Sequence, residues 1–462
     1  MQLEGLSLYR FIKSKQLSIS AIFDYIADWI DCVAHTLLQG RLSYTGLSSQ
    51  VNNSSRDAHQ QLTPNIQAFI VDSSAARRNG YMDPLAGSHA PRRHLRVMML
   101  GLRGFPNVQG GVESHVEHLA PLLVHQGCQL EVIVRSPYQK KETGKEWRGV
   151  KFISIWAPKT KAFEAIMHTF FGVLYAAIKR PDVLHIQAIG PALMTPLARL
   201  LGLNVVVTHH GPDYDRQKWG ILAKTILKAG EWAGMRYANG RIVISNVIRE
   251  LVERKHEVAS EIIHNGVVVP ELGVSESYLE SFGLKRDRYI LLVSRLVPEK
   301  RHLDLIEAFT QANVPGYKLV FVGSSDHPDA YVTQLLEAAA SNPSIVLTGF
   351  QKGEVLRSLY THAGLFVLPS SHEGLSISLL EALSYGLPVL ASDIPANLEV
   401  KLHSSCYFKM GDVQELAEKI RYQIQHPASQ QDRMDVRAWI DAEYNWSRIA
   451  EMTYAEYRKA FY

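Results

Sequence analysis

The feature that most restricts this chain is a rhythm that occurs twice. From His94 onward, short uninterrupted apolar runs alternate with helix-length stretches: "HLRVMMLG", "QLEVIVR", "DVLHIQ", "NVVVTHH" and "RIVISN", then "RYILLVSRL", "YKLVFVGSS", "SIVLTGF", "GLFVLPSS" and "PVLASDI". A strand with one face in water alternates apolar and polar residues, whereas a strand covered on both faces reads as continuous Val, Ile and Leu. Strands of that kind, separated by helices, predict a parallel sheet with helices on either side. The repeat predicts an α/β protein of two facing, doubly wound Rossmann-like domains, at 94–270 and 271–435, joined within 268–287. A C-terminal helical segment follows at 436–462, where "NWSRIAEMTYAEYRKAFY" reads as a helix with aromatic anchors. Ligands of open α/β sheets bind beyond the carboxyl ends of the strands, so two such sheets facing each other define a cleft.

Residues 1–93 have a different grammar and form an N-terminal extension. Ile19, Ile22, Phe23, Ile26, Trp29, Ile30, Val33 and Leu37 keep the helical period, which predicts one amphipathic helix ended near Gly40. Residues 47–93 are rich in Ser, Asn, Gln, Arg and Ala without a period and read as a linker.

The overall charge of +4 conceals an asymmetry: 1–93 carries +2, 94–270 carries +8 and 271–462 carries −6. A basic half next to an acidic half implies different partners. The chain has no helix-turn-helix, zinc-finger or RNP pattern, so nucleic acid is not an expected partner. An anionic membrane surface is one partner a basic half would suit. Three widely spaced cysteines (Cys32, Cys128, Cys406) exclude a disulfide scaffold and fit a reducing cytoplasm. The first thirty residues lack the pattern of a secretory signal, and no stretch reaches the ~20 apolar residues of a spanning helix.

Four segments carry candidate chemistry. In "SSHEGLSISLLEALSYGLPVLASD" (370–393), Glu373 leaves a strand and Glu381 lies eight residues on, expected in the first turn of a helix. Gly374, Leu375 and Ser376 lead into that helix, whose free N-terminal amides and dipole suit a phosphate. Ser378 and Glu381 have the spacing of a capping box, an alternative use for the carboxylate. In "SRLVPEKRHLDLIEAF", Arg295 ends a strand and Lys300 is expected to begin a helix on the same sheet edge. A forked guanidinium and a point-charge ammonium suit a departing diphosphate, although surface cations are the commoner fate of such residues.

"GLRGFPNVQGGVESHVEHL" places Gly110 and Gly111 before a helix, where a backbone can approach a ligand closely. It lacks the dinucleotide GxGxxG, and His115 with His118 lacks a third zinc ligand. In "VVVTHHGPDYDRQKWG", His209 and His210 end a strand and are expected to point into the cleft, as substrate contacts or as buried structural residues. Asp213 and Asp215 have the look of a metal-binding DxD, but next to Arg216 a loop ion pair or an acceptor contact is preferred.

Taken together, "EGLSISLLEALSYGLPVLASD", "SRLVPEK", "HNGV" (His264 to Val267) and "RGFPNVQGGVESHVEHLAPLLVHQG" resemble the retaining family-4 glycosyltransferases of the GT-B fold, of the bacterial surface-polysaccharide type. The resemblance spans about 94–462. It implies a glycosyltransferase of hexosyltransferase type. Such an enzyme would move a sugar, with retention of configuration, from a nucleotide-diphosphate sugar to a glycan or polyprenyl-diphosphate-linked acceptor. By position it implies that Glu373 contacts the donor sugar near the reacting carbon and that Glu381 binds the ribose. It also implies that Arg295, Lys300 and the amides of Gly374, Leu375 and Ser376 hold the diphosphate, that His210 contacts the donor sugar, and that Gly110 and Gly111 let the first domain close on the phosphate and the acceptor.

No cofactor or metal is implied, because protein cations and helix dipoles stabilise the leaving group. For retention, attack from the face of the departing phosphate is preferred to a Glu373 adduct. Two departures from the family pattern stand out: Leu375-Ser376 in place of an aromatic-Pro pair, and Arg301 where Gly is common. Residues 1–93 fall outside the match, and "LLQGRLSYTGL" with "LTPNIQAFI" only faintly resembles the tail of polyprenyl-phosphate sugar-phosphate transferases. A non-catalytic glycan- or nucleotide-binding protein on this fold, a sugar-nucleotide epimerase and a phosphorylase are the alternatives. For the phosphorylase no convincing pyridoxal-phosphate lysine motif is seen.

Overall fold

The computed structural model describes residues 94–139, 143–157, 163–215, 220–271, 273–325 and 330–462. The helix expected over 19–38 and the linker at 47–93 lie outside them. The first sheet is built from β1 (Arg96–Leu100), β2 (Gln129–Arg135), β3 (Glu146–Trp147), β4 (Val150–Ile155), β5 (Val183–Gln187), β6 (Val205–His209), β7 (Gly240–Val243) and β8 (Glu261–Ile262). Their spatial order is β3-β4-β2-β1-β5-β6-β7-β8. All pairs are parallel except β3 with β4, with Val97 opposite Leu130 on one side and Val183 on the other. Every residue of β5 and β6 is buried, the double coverage that their continuous apolar runs require.

The second sheet is built from β9 (Tyr289–Val293), β10 (Lys318–Val322), β11 (Ile345–Leu347), β12 (Leu365–Leu368), β13 (Val389–Ser392) and β14 (Tyr407–Phe408). It is parallel throughout, in the order β11-β10-β9-β12-β13-β14.

The strand order reverses at β1 in one sheet and at β9 in the other. A crevice opens beyond the carboxyl end of such a strand, because the chain leaves to opposite sides. The two loops leaving these strands are the Arg103–Gly110 and Ser294–Arg301 segments that carry two of the sequence motifs. Seven helices matter below: α1 (Gly111–His125), α2 (Phe163–Lys179), α3 (Ile221–Tyr237), α4 (Asn246–His256), α5 (His302–Ala312), α6 (Ile377–Ser384) and α7 (Trp446–Phe461).

The last of these helices was expected as a terminal segment, and the structure gives it a structural task. Trp446, Ile449, Ala450, Tyr457 and Ala460 of α7 sit in one buried cluster with Leu95, Val97, Val116 and Leu119 of the first domain. The chain therefore crosses between the domains twice. The crossings run side by side: the amide of Val267 donates to the carbonyl of Tyr444 at 2.9 Å, and Val267 bridges Asn445 in parallel. Gly266 is fitted to this crossing, since a Cβ there would stand 2.5 Å from the Trp446 ring.

Candidate active site

The first-domain side of the cleft is the loop after β1. Arg103 folds back onto α1, with Nε 3.0 Å from Glu113 Oε1 and a second guanidinium nitrogen on the Gln109 carbonyl. Burial alone would raise the Glu113 pKa, but the Arg103 charge and hydrogen bonds bring it below the usual carboxylate value. This ion pair explains Gly110. A Cβ there would meet Glu113 Oε2 at 2.0 Å and Arg103 Nη2 at 2.8 Å, whereas a Cβ at Gly111 would meet open space. Gln109 reaches across to the second domain, where Ser324 Oγ donates to its Oε1 at 2.8 Å.

The second-domain side begins with the loop after β9. Arg295 lies two residues beyond the strand, and Lys300 closes a 3₁₀ turn (Pro298–Lys300) instead of opening α5. Arg301 takes a left-handed φ of 52°, the conformation that glycine adopts at least cost. The Lys300 ammonium is ion-paired with Glu373, and both side chains are largely buried.

Glu373 and Gly374 lie just before α6, whose N-cap, Ser376, makes no side-chain capping bond. The amides of its first turn have no intrahelical partner and offer an anion site. The capping box, the alternative use of Glu381, is not formed, and Glu381 stands in the second turn of α6, not the first. Its Oε2 accepts from the Tyr360 hydroxyl at 2.9 Å, and Tyr360 stacks on Tyr385 at 5.0 Å. Burial raises the Glu381 pKa, against the opposing pull of the Tyr360 bond and the His118 charge. Burial and the neighbouring Glu381 raise Tyr385 to about 12.

The two sides meet at Gly374. A Cβ on Gly374 would stand 2.2 Å from the His210 carbonyl oxygen, so only glycine permits this approach. Next to it, Asn265 donates to the Leu375 carbonyl at 3.0 Å while its Oδ1 lies 3.0 Å from His115 Nδ1. His210 Nε2 is 2.7 Å from Gln187 Oε1 and so carries the proton, leaving Nδ1 as an acceptor. Burial, then the His185 and His209 charges, brings the His210 pKa down to about 3, and burial likewise holds His115 well below its usual value. Both imidazoles are neutral at pH 7.

The structure thus brings Lys300, Glu373, Gly374, Leu375 and His210 together, with Gly110 ending the loop that Gln109 ties across the cleft and Gly111 opening α1. It corrects the expectation for His209, which is fully buried and turned to Glu231 in the domain interior. Asp213 and Asp215 form a short 3₁₀ turn beyond it. His118 stacks on Trp446 at 5.4 Å with Nδ1 on the Ser114 carbonyl, and among the described residues no three His, Cys, Asp or Glu side chains gather as metal ligands. Asn265, Gln187 and Tyr360 were not singled out from the sequence, although Asn265 lay inside the recognised "HNGV".

Two family models cover this arrangement: "Glycosyltransferase Family 4" over 109–269 and "Glycosyl transferases group 1" over 275–438. The chain belongs to the family-4-type glycosyltransferases of the GT-B fold, and it is an enzyme that uses a nucleotide-sugar donor. Among curated relatives, an uncharacterised glycosyltransferase of Methanocaldococcus jannaschii is 25% identical over 67% of this chain and 83% of its own length. Glycogen synthase of Mycobacterium tuberculosis is 25% identical over 79% and 95%. The alpha-D-kanosaminyltransferase of Streptomyces kanamyceticus is 26% identical over 46% and 58%.

Among solved structures, sucrose-phosphate synthase of Thermosynechococcus elongatus matches with a TM-score of 0.68 at 20% identity, over 80% of this chain and 99% of that one. HepE of Anabaena, in complex with UDP and glucose, matches with a TM-score of 0.65 at 17% identity, over 78% and 99%. These two share the fold.

Proposed function

We propose that the chain is a retaining hexosyltransferase of surface-polysaccharide synthesis, with the donor held by the second domain and the acceptor by the first. The observation that carries this reading is the convergence of the Lys300–Glu373 pair and the α6 N-terminus on the backbone of His210. In this reading Arg295, Lys300 and the amides at Gly374 to Ser376 neutralise the diphosphate as it leaves, and no metal is needed. Glu381 takes the ribose hydroxyls, and Tyr360 fixes its carboxylate. His210, neutral and with a free acceptor nitrogen, takes a donor-sugar hydroxyl. Glu373 is ion-paired, which weakens it as a nucleophile. Attack by the acceptor on the face of the departing phosphate is therefore favoured over a covalent intermediate.

A lipid-linked acceptor is favoured by the outer surface of the first domain. Trp156, Ile178, Ile221 and Leu222 are 63–80% exposed on a domain of charge +8. The central residues of α2, such as Val173 and Ala176, are core, while Phe171 and Ile178 face outward. Among the described residues no helix is long and apolar enough to cross a membrane. Each well-placed cation near anionic lipid adds ~1 kcal/mol, so salt-sensitive peripheral binding is expected. Flotation with anionic and neutral vesicles at low and high salt tests it, and equal partition to both would remove the electrostatic argument. The enzymatic reading is tested by a panel of nucleotide sugars. Slow release of nucleoside diphosphate without sugar interconversion supports transfer, and no turnover of any donor with or without acceptor refutes it.

A further inference from the structure

Behind His210 lies a buried polar cluster that the donor and acceptor roles above do not use. Glu231, on α3 and 2% exposed, receives three donors: the Tyr214 hydroxyl at 2.7 Å, His256 Nε2 at 2.9 Å and His209 Nε2 at 3.1 Å. The Lys255 ammonium stands 3.5 Å from the same carboxylate and also contacts the Tyr214 hydroxyl. Burial of Glu231 alone would favour its neutral form, but the His209 and His256 bonds reverse this and keep it ionised. A buried carboxylate with this many donors is a fixed point of the fold.

Its effect is passed on through one ring. His209 is fully buried, and its Nδ1 accepts from the Gly211 amide at 3.0 Å. That bond requires an unprotonated Nδ1, hence a proton on Nε2, which is the proton donated to Glu231. Glu231 therefore selects the tautomer that lets His209 clamp the Gly211 amide. The clamped peptide is the strip on which the donor loop rests. A Cβ on Gly211, where φ is +131°, would lie 3.4 Å from the Gly374 Cα, and a Cβ on Gly374 would lie 2.2 Å from the His210 carbonyl oxygen.

We propose that Glu231, acting through His209, is a positioning residue for transfer: it fixes the His210–Gly211 backbone and so sets the register in which the Glu373–Gly374 loop of the donor domain seats on the acceptor domain. This rests on the reading of Glu373 and His210 as donor contacts. The proposed diphosphate and ribose ligands lie on the second domain, so the clamp governs alignment of the reacting groups more than retention of the nucleotide. A misplacement of about 1 Å at a reacting centre costs up to ~10²-fold in rate.

The test compares His209→Leu, His209→Asn and Glu231→Leu in the full chain, with kcat for transfer and nucleoside diphosphate affinity (UDP, GDP and ADP in turn) by calorimetry. Asn can accept from the amide two residues on, as in an Asx turn, so it restores the clamp without Glu231. The expected result is a fall in kcat of at least about tenfold for His209→Leu and Glu231→Leu. Their nucleotide affinity should stay within about threefold of the parent, with His209→Asn recovering most of kcat. If Glu231→Leu fails to fold, the two His209 variants decide alone. Unchanged kcat in His209→Leu, a parallel loss of nucleotide affinity, or His209→Asn as impaired as His209→Leu would overturn the proposal. Lys300→Ala and Glu381→Ala, run alongside, separate the two readings. If they leave nucleotide affinity intact, the site reading itself has failed; if they weaken it while His209→Leu is silent, only the clamp has.

Discussion

The two sheet edges that face each other across the cleft differ in kind. The second-domain edge presents charge: Lys300 is paired with Glu373, Arg295 lies in the loop after β9 and Glu381 on α6. The first-domain edge keeps an ion pair, Arg103 with Glu113, folded back onto α1, and otherwise presents the uncharged imidazoles of His115 and His210 and the closely packed backbone of Gly110 and Gly211. Charge that develops on a leaving diphosphate needs fixed opposite charge near it, whereas an approaching acceptor needs orientation and room. On the proposed reading one fold used twice has two tasks, and the difference between them is carried by the segments after β1, β6, β9 and β12 and not by the sheets.

That contrast makes predictions of decreasing size. Replacing Lys300 with Ala should lower kcat/KM by about 10²–10³-fold, the usual scale for removing a preorganised charge-stabilising donor. Initial rates with saturating acceptor check it, and a loss under threefold would place the leaving-group site elsewhere. Glu381→Ala should raise donor KM by about tenfold with kcat nearly kept, because a ribose contact acts in ground and transition states alike. Glu373→Ala should instead lower kcat with KM nearly kept. Equal effects of the two variants on both parameters would break the assignment.

The contrast extends to acid. His168, His185 and His210 of the first domain are held at about 4, 3 and 3, with His115 also well depressed, mainly by burial. In the second domain His302 is held at about 3, also by burial. A histidine whose folded pKa lies below its unfolded 6.5 adds stability that is complete above 6.5. That stability is lost as pH falls, because the unfolded chain takes up the proton first. Each contributes about 1.4 kcal/mol per pH unit in the window from 6.5 down to its folded pKa, less where neighbouring rings interact. Amide exchange at pH 5 should therefore loosen β1, β5 and β6 before β9 and β12; simultaneous loosening would contradict it. The smallest expected effect is that of a chelator. EDTA should leave the rate within about twofold if, as proposed, protein cations serve the diphosphate; full loss with rescue by Mn²⁺ would bring Asp213 and Asp215 back as ligands.

The parts of this molecule that sequence made legible are those whose signal is local. The continuous runs at 289–293, 318–322 and 365–368 announce doubly covered strands, and the 370–393 block carries its own loop, helix start and carboxylates. What escaped has causes of two kinds. β3, β8 and β14 are two residues long, too short for any period, and β4 alternates because its outer residues are open to solvent. The remaining features depend on partners far along the chain. Asn265 meets Leu375 across 110 residues, Tyr360 meets Glu381 from another helix, and His209 turns to Glu231 and not to the cleft. Composition around His209 and His210 is the same; only the alternation of a strand, which sends neighbours to opposite sides, separates their fates.

The return of α7 into the first-domain core has a consequence for how the protein is made. Leu95, Val97, Val116 and Leu119 wait for Trp446, Ile449 and Tyr457 to cover them. On the ribosome, the segment synthesised first among these is thus completed last. The second domain, whose sheet is built wholly from 289–408, can close around its own core while its predecessor still has an open apolar face. Synthesis of this chain runs from one end to the other, but the core of its first domain is complete only once the last helix has returned to it.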